Sequence, residues 1–213
     1  MTDDNLLATT RPGLEVDAAR LEQWMSANIA GFRGPLSVKQ FRGGQSNPTY
    51  LLETPHQHYV LRRKPPGELL ASAHAVDREY RVLAALSEFP VPVPRVFALC
   101  EDAAVIGTAF YVMQHVAGRI VWDSALPEVP PDARRMHFEA MNAALASLHN
   151  VDYRAAGLAD FGRAEGYIAR QVSRWSKQYM ADSDAGRIGA MDRLVEWLPA
   201  HLPESSAVAV VHG

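Results

Sequence analysis

A glycine-rich turn between two short apolar segments is the first group of residues that could do chemistry. The stretch FRGGQSNPTYLL (41–52) places Gly43 and Gly44 ahead of Ser46 and Asn47. Glycines let a backbone turn sharply and approach a ligand closely, and exposed N–H groups with short polar side chains can hold phosphate oxygens. The spacing matches neither the dinucleotide-binding fingerprint nor the Walker P-loop. The pattern therefore fits either a phosphate-binding turn or a plain glycine hairpin turn.

Three consecutive cations follow in the segment YVLRRKPPG (59–67). Alternate residues of a strand share a face, so Val60 and Arg62 point to one side and Arg63 points to the other. An apolar residue two positions before a cation suits a nucleotide, because the apolar group can cover the base while the cation reaches the phosphates. Glu79 lies downstream on a predicted helix, where it could pair with that cation and orient it. The alternative is an edge strand whose charges are solvated.

The elements that must position these residues change character along the chain. Short β-type segments predict strands, and an apolar period of about 3.6 residues predicts helices. We predict a helix over 13–30 with Asp17 as its N-cap. The predicted strands are 36–41, 49–54, 58–63, 95–100 and 108–116, and the other predicted helices are 71–89, 131–149, 164–180 and 188–198. The mainly β part ends near residue 116, so we predict two regions, 1–116 and 117–213, and ligands often bind between two such parts.

Composition and charge exclude several classes of partner. Hydrophobic residues make up 48% of the chain and charged residues 21%, which is ordinary for a soluble globular protein. A net charge of −3 and a pI near 6.2 favour neither nucleic acid nor an anionic membrane as a partner. The N-terminus lacks the basic start and long apolar run of a signal peptide. Cys100 is the single cysteine, which favours a reducing compartment, so we expect a cytoplasmic protein.

In their order and spacing, these segments resemble the aminoglycoside phosphotransferase family, which belongs with the choline kinases in the protein-kinase-like fold. The matching features are the glycine turn, the third-strand cation, the Glu79 helix, FPVPVPRV (89–96), YVMQHVAG (111–118) and LASLHNVD (145–152). RQVSRWSKQY (170–179) resembles the branch whose kinase-like domain precedes an acyl-CoA dehydrogenase in some animal proteins. The resemblance implies an α+β, two-lobe fold. Its N-terminal lobe, residues 1–116, would bind nucleotide on a five-stranded antiparallel sheet, and residues 117–213 would form the first part of a helical C-terminal lobe.

The resemblance also implies a role for each candidate residue. The turn over the ATP phosphates would be formed by Gly43, Gly44, Ser46 and Asn47. Arg62 would replace the third-strand lysine, with Val60 beside it and Glu79 as its partner. Backbone groups for adenine would come from Gln114, His115 and Val116, with Met113 at the gatekeeper-like position. An arginine can hold two oxygens in a fork, whereas a lysine is a point charge. Arg63 or Lys64 takes the role instead if the register slips by one residue.

The last segment, AVAVVHG (207–213), combines an apolar run that predicts a buried strand with His212 and Gly213. In the family a His-Gly-Asp motif opens the catalytic loop after such a strand. The resemblance therefore makes His212 a structural member of that loop and places the catalytic Asp and every Mg²⁺ ligand after Gly213.

The implied protein is an ATP- and Mg²⁺-dependent kinase of a small hydroxylated acceptor, for which the branch suggests a hydroxyacyl-CoA. The 213 residues alone are expected to be inactive. Their uncovered apolar stripes are expected to favour self-association. The alternative is a non-catalytic nucleotide-binding or structural module, which holds if the chain truly ends at Gly213.

Overall fold

The structure is a computed structural model that describes residues 7–42, 47–67, 74–163, 165–184, 186–204 and 208–211. By its internal contacts the chain forms two compact units, Met1–Ser147 and Leu148–Gly213. This division lies further along the chain than residue 116, where the sequence changes from mainly β to mainly α. The functional division at residue 116 stays a prediction.

An antiparallel sheet lies at the centre of the first unit. Its strands, among the described residues, are β1 (Leu7–Ala8), β2 (Ser37–Phe41), β3 (Thr49–Glu53), β4 (His58–Arg63), β5 (Val96–Cys100) and β6 (Phe110–Gln114), in the spatial order β1-β2-β3-β4-β6-β5. The predicted α+β class and antiparallel sheet are confirmed. The predicted count of five strands is wrong, because β1 pairs with β2 through only two residues, too few to show a period in the sequence.

Two helices pack against opposite faces of the sheet. Helix α1 (Ala18–Asn28) begins at the predicted N-cap, where the Asp17 carboxylate accepts a hydrogen bond of 3.0 Å from the Arg20 backbone N–H. Helix α2 (Val76–Leu86) contacts β5 and β6. It begins later than the predicted residue 71, because the residue at position 74 has a left-handed backbone with φ of 61°. The four-residue helix α3 (Ala103–Ile106) was not predicted from the sequence.

The hydrophobic core lies between the sheet and α1. Side chains from alternate strand positions fill it together with the apolar stripe of α1, as the strand and helix periods predict. Its main members are Leu21, Met25, Ile29, Tyr50, Leu52, Tyr59, Leu61, Phe110 and Val112. The opposite face of the sheet carries the polar residues of the candidate site.

Three helices follow the sheet: α4 (Pro131–His149), α5 (Tyr167–Ala181) and α6 (Gly189–Trp197). All three were predicted from their apolar stripes, and none of their described residues is buried. The Tyr179 hydroxyl joins α5 to α6, because it donates to the Asp192 carboxylate at 2.8 Å. That hydrogen bond lowers the pKa of Asp192 below its ordinary value.

The prediction of a strand near the end of the chain is wrong for residues 208–211, the part of that segment that the structure describes. Residues 208–211 form no strand, and Val211 is 70% exposed. An apolar run becomes a strand only where a neighbouring strand can satisfy its backbone groups, and none pairs with these four residues in the described ranges. None of the helices that the structure describes is long and apolar enough to cross a membrane.

Candidate functional site

Three neighbouring strands place polar side chains side by side on the face opposite the core. Arg62 of β4 lies directly opposite Thr49 of β3 and Tyr111 of β6. Residues directly opposite each other in antiparallel strands point to the same face of a sheet. Helix α2 runs over this face and brings Glu79 to it. We call Asn47, Thr49, Arg62, Glu79 and Tyr111 the Glu79 cluster.

The Glu79 carboxylate accepts hydrogen bonds from three different side chains. Arg62 Nε donates to Oε2 at 2.6 Å, and Arg62 Nη2 lies 3.4 Å from Oε1. The Tyr111 hydroxyl donates to Oε2 at 3.1 Å, and Asn47 Nδ2 donates to Oε1 at 2.8 Å. Two donors at each oxygen use the whole acceptor capacity of a carboxylate. The predicted ion pair between Arg62 and Glu79 is therefore confirmed, and its orientation is fixed from several sides.

Arg62 keeps hydrogen-bonding capacity after it has paired. A guanidinium has five N–H donors, and the contacts among the described residues engage three of them: two with Glu79, and one at Nη1 with Thr49 Oγ1 at 3.4 Å. The Arg62 side chain is 29% exposed. The remaining donors can therefore reach a ligand, and two N–H groups in a planar fork match the oxygens of a phosphate.

The Asn47 side chain is engaged at both ends of its amide. Only 2% of Asn47 is exposed. While Nδ2 donates to Glu79, Oδ1 lies 2.9 Å from Nδ1 of His74. Because Oδ1 can only accept, the His74 ring must carry a proton on Nδ1. Asn47 thus connects the end of the predicted phosphate turn to the helix that carries Glu79.

An apolar pair lies beside the polar cluster on the same face. Val60 is directly opposite Met113, two residues along β4 from Arg62, and is 8% exposed. This pair is the candidate surface for a nucleotide base. The Gln114 backbone N–H donates to the Arg95 carbonyl at 2.7 Å, so that group of the predicted connector is already engaged; His115 is half-buried and Val116 is exposed.

Burial sets the protonation of the tyrosine in the cluster. Burial raises the pKa of Tyr111 well above its ordinary value, and the adjacent Glu79 carboxylate raises it further. The phenol therefore stays protonated and remains a hydrogen-bond donor to Glu79 at physiological pH.

The other two cations of the basic segment have different partners. Arg63 is 3% exposed on the core side of the sheet, where Nε donates to Thr108 Oγ1 at 3.0 Å. Lys64 Nζ lies 3.7 Å from the Asp77 carboxylate. Of the three cations only Arg62 contacts Glu79 in the described part of the chain, so the pairing follows the register in which Arg62 faces the helix.

Several candidates lie where the structure makes no statement. Gly43, Gly44, Ser46, His212 and Gly213 are outside the described residues. Within the described ranges, no group of three or more His, Cys, Asp or Glu side chains could hold a metal ion. Cys100 is buried, and burial raises the pKa of its thiol, which agrees with a place in the core.

Three residues of the site escaped the sequence analysis: Thr49, Tyr111 and His74. The first two meet Arg62 through strand register, and the pairing of β4 with β6 is hidden in the sequence because α2 and β5 lie between them. His74 precedes Glu79 by five residues in HAVDRE. The signal that could have found it is a polar residue two positions before the first residue of α2, the helix that carries Glu79.

Comparisons with known proteins agree with the resemblance found in the sequence. A family model described as "Phosphotransferase enzyme family" matches residues 37–213. Mouse acyl-CoA dehydrogenase family member 10 is 47% identical over 180 residues, which cover 84% of this chain and 17% of that protein. A crystal structure from Ralstonia eutropha JMP134, provisionally assigned as an aminoglycoside phosphotransferase, is 48% identical with a TM-score of 0.79 over 92% of this chain and 56% of that one.

A more distant structure shares the fold alone. The GDP complex of aminoglycoside 2'-phosphotransferase-IIIa is 13% identical with a TM-score of 0.58, over 84% of this chain and 57% of that one. The chain thus spans under a fifth of the mouse relative and just over half of the Ralstonia protein. The predicted resemblance, including the acyl-CoA dehydrogenase branch, is confirmed.

Proposed function

The chain belongs to the phosphotransferase enzyme family, and from this premise we propose that it forms the nucleotide-binding part of an ATP-dependent kinase of small hydroxylated molecules. The observation that carries the proposal is the Glu79 cluster. Its carboxylate holds Arg62 along one edge and leaves N–H donors on a partly exposed guanidinium.

The geometry suits phosphoryl transfer because that chemistry depends on positioning and on charge stabilisation. In the proposed complex Arg62 donates to phosphate oxygens of ATP, and Glu79 prevents the guanidinium from rotating away. In that complex residues 43–47 would form the turn over the phosphates, and Val60 with Met113 would receive the adenine. Mg²⁺ would neutralise charge on the phosphates, and we expect its ligands, like the catalytic Asp, in residues that follow Gly213.

We further propose that the acceptor is a hydroxyacyl-CoA. Mouse acyl-CoA dehydrogenase family member 10 is named for chemistry on acyl-CoA, and 84% of this chain matches it. An aminoglycoside is a polycation and would favour a strongly acidic site, whereas the net charge of this chain is only −3. Charge therefore gives no support to an aminoglycoside acceptor.

The test is an assay of ADP release from Mg²⁺-ATP with three classes of acceptor: hydroxyacyl-CoAs, the corresponding free hydroxy acids, and aminoglycosides. It uses the protein extended beyond residue 213 to the length of the Ralstonia relative. We expect ADP release that depends on the hydroxyacyl-CoA and falls on the order of 100-fold in Arg62→Ala. The 213-residue chain, assayed beside it, is expected to release no ADP.

Two results would count against these proposals. Release of ADP with aminoglycosides but not with hydroxyacyl-CoAs would refute the acceptor and leave the kinase assignment in place. An extended protein that neither binds Mg²⁺-ATP nor releases ADP with any acceptor would refute the kinase assignment and favour a non-catalytic module.

A further inference from the structure

We propose that His74 is a positioning residue that steadies the Arg62–Glu79 pair by holding the Asn47 amide in one orientation. The inference rests on the proposed function, because the pair is taken as the phosphate clamp. His74 itself contacts neither Arg62 nor Glu79 in the described contacts, so its effect passes through Asn47.

The coupling runs through a single buried amide. Asn47 follows residues 43–46 directly, and it is the one residue of the predicted turn that the structure describes. Its Nδ2 reaches Glu79 at 2.8 Å because its Oδ1 is held at 2.9 Å by His74. A buried amide oxygen without a donor is costly, so Asn47 would reorient if the imidazole were absent. Reorientation would remove Nδ2 from Glu79 and loosen the carboxylate that holds Arg62.

The backbone of His74 supports the same role. Its φ of 61° lies in the left-handed region, which costs free energy for any residue with a side chain. Such a conformation persists where surrounding contacts hold it, and it is found often at functional sites. The His74 carbonyl accepts from the Val76 backbone N–H at 2.9 Å, while the N-cap residue of α2, Ala75, makes no side-chain cap. His74 therefore marks the start of α2 with its backbone and reaches Asn47 with its ring.

Two substitutions separate the side-chain donor from the backbone requirement. His74→Asn keeps an N–H donor at the position of the imidazole Nδ1, and asparagine tolerates the left-handed region. His74→Gly accepts the same backbone freely but has no donor. The two variants differ at the one hydrogen bond to Asn47, and each serves as the control for the other.

The experiment measures the dissociation constant of Mg²⁺-ATP by calorimetry, together with the melting temperature, for the wild type and both variants. We expect His74→Gly to weaken binding roughly tenfold, the effect of losing one hydrogen bond to a buried group. His74→Asn is expected to stay within about threefold of the wild type. A purely structural role would instead lower the melting temperature and leave the affinity of the folded protein unchanged.

A double-mutant cycle tests whether the effect passes through Asn47. In an Asn47→Ala background, His74→Gly is expected to cause no further loss of affinity, because the hydrogen bond is already absent. An equal loss in both backgrounds would overturn the coupling. So would wild-type affinity in His74→Gly.

One further measurement does not depend on the stability of a variant. The ¹⁵N chemical shifts of the His74 ring in the wild type are expected to show a proton on Nδ1, and a neutral ring protonated only on Nε2 would overturn the proposal. Failure of the wild type to bind Mg²⁺-ATP would refute the proposed function, and this inference with it. Normal binding by both the wild type and His74→Gly would refute the inference alone.

Discussion

Arg62 and Arg63 are adjacent in β4, and the two faces of the sheet give them opposite environments. Arg62 is partly exposed and pairs with a carboxylate that two further side chains, Asn47 and Tyr111, hold in place. Arg63 is 3% exposed and directs its guanidinium to uncharged oxygens, at Thr108 Oγ1 and at the backbone carbonyls of Glu15 and Lys64. Two adjacent residues thus differ in what they can do: Arg62 can still bind a ligand, whereas Arg63 is buried on the core side of the sheet.

The difference teaches what to look for in a run of basic residues. A functional cation needs donors left over after its orienting contacts, and it needs a route to solvent. Arg62 has both, whereas Arg63 fastens the segment before α1 to the sheet through the Glu15 carbonyl. Replacing Arg62 is therefore expected to lower activity, whereas replacing Arg63 is expected to lower stability.

The largest effect is expected from Arg62→Ala. It removes the guanidinium that we assign to the phosphates, and loss of one such electrostatic contact costs on the order of 100-fold in turnover. Arg62→Lys keeps the charge but not the fork, so it should fall between the wild type and the alanine variant. The measurement is kcat/KM for ATP in the extended protein. Wild-type turnover by Arg62→Ala would refute the assignment.

Arg63→Met should instead lower the stability of the protein and leave its affinity for Mg²⁺-ATP unchanged. The methionine fills much of the same volume but leaves the Thr108 hydroxyl and the Glu15 carbonyl without their buried partner, which is expected to cost about 2 kcal/mol of the free energy of unfolding. Urea denaturation measures the loss, with Arg62→Met as the matched control at the neighbouring position. The folded fraction of Arg63→Met should bind Mg²⁺-ATP as the wild type does. A selective loss of ATP affinity without a loss of stability would break the contrast between the two faces.

The contrast also shows how much the sequence could predict. Strand alternation alone placed Arg62 and Arg63 on opposite faces, and apolar periods located α1 and α4 to α6 within a few residues. These signals are local, since each depends on residues close together in the chain. The partners of Glu79 required more, because Tyr111 reaches it through a strand order that brings β6 beside β4.

The remaining errors have physical causes of the same kind. β1 is too short to show a period, and α3 depends on the Asp102 carboxylate, which caps the Ala104 backbone N–H at 2.8 Å. The helix predicted over 71–89 begins later, at Val76, because the left-handed backbone of His74 could not be predicted from the sequence. Residues 208–211 have a strand-like composition, but a strand also needs a neighbouring strand to pair with, and they form none.

The smallest effect is expected at a second ion pair on the Arg62 face, between Lys39 Nζ and the Glu53 carboxylate at 2.8 Å. The hydrogen bond from Lys39 holds the pKa of Glu53 below its ordinary value of 4.5. A lowered pKa stabilises the fold above that ordinary value, and the stabilisation is lost as the pH falls through the lowered pKa. Because the pair is near the surface, Glu53→Gln should cost less than about 1 kcal/mol at neutral pH, and nothing in strong acid.

Urea denaturation of the wild type and of Glu53→Gln at about pH 7 and about pH 3 measures this difference. Lys39→Met is the matched variant from the other side of the pair, and it should show the same dependence on pH. Neither variant should change the affinity for Mg²⁺-ATP, since the pair has none of the buried donors that fix Glu79. If Glu53→Gln weakened ATP binding as much as Arg62→Ala, then pairing with any carboxylate on this face, rather than the Glu79 cluster with its buried donors Asn47 and Tyr111, would be what prepares a cation for phosphate.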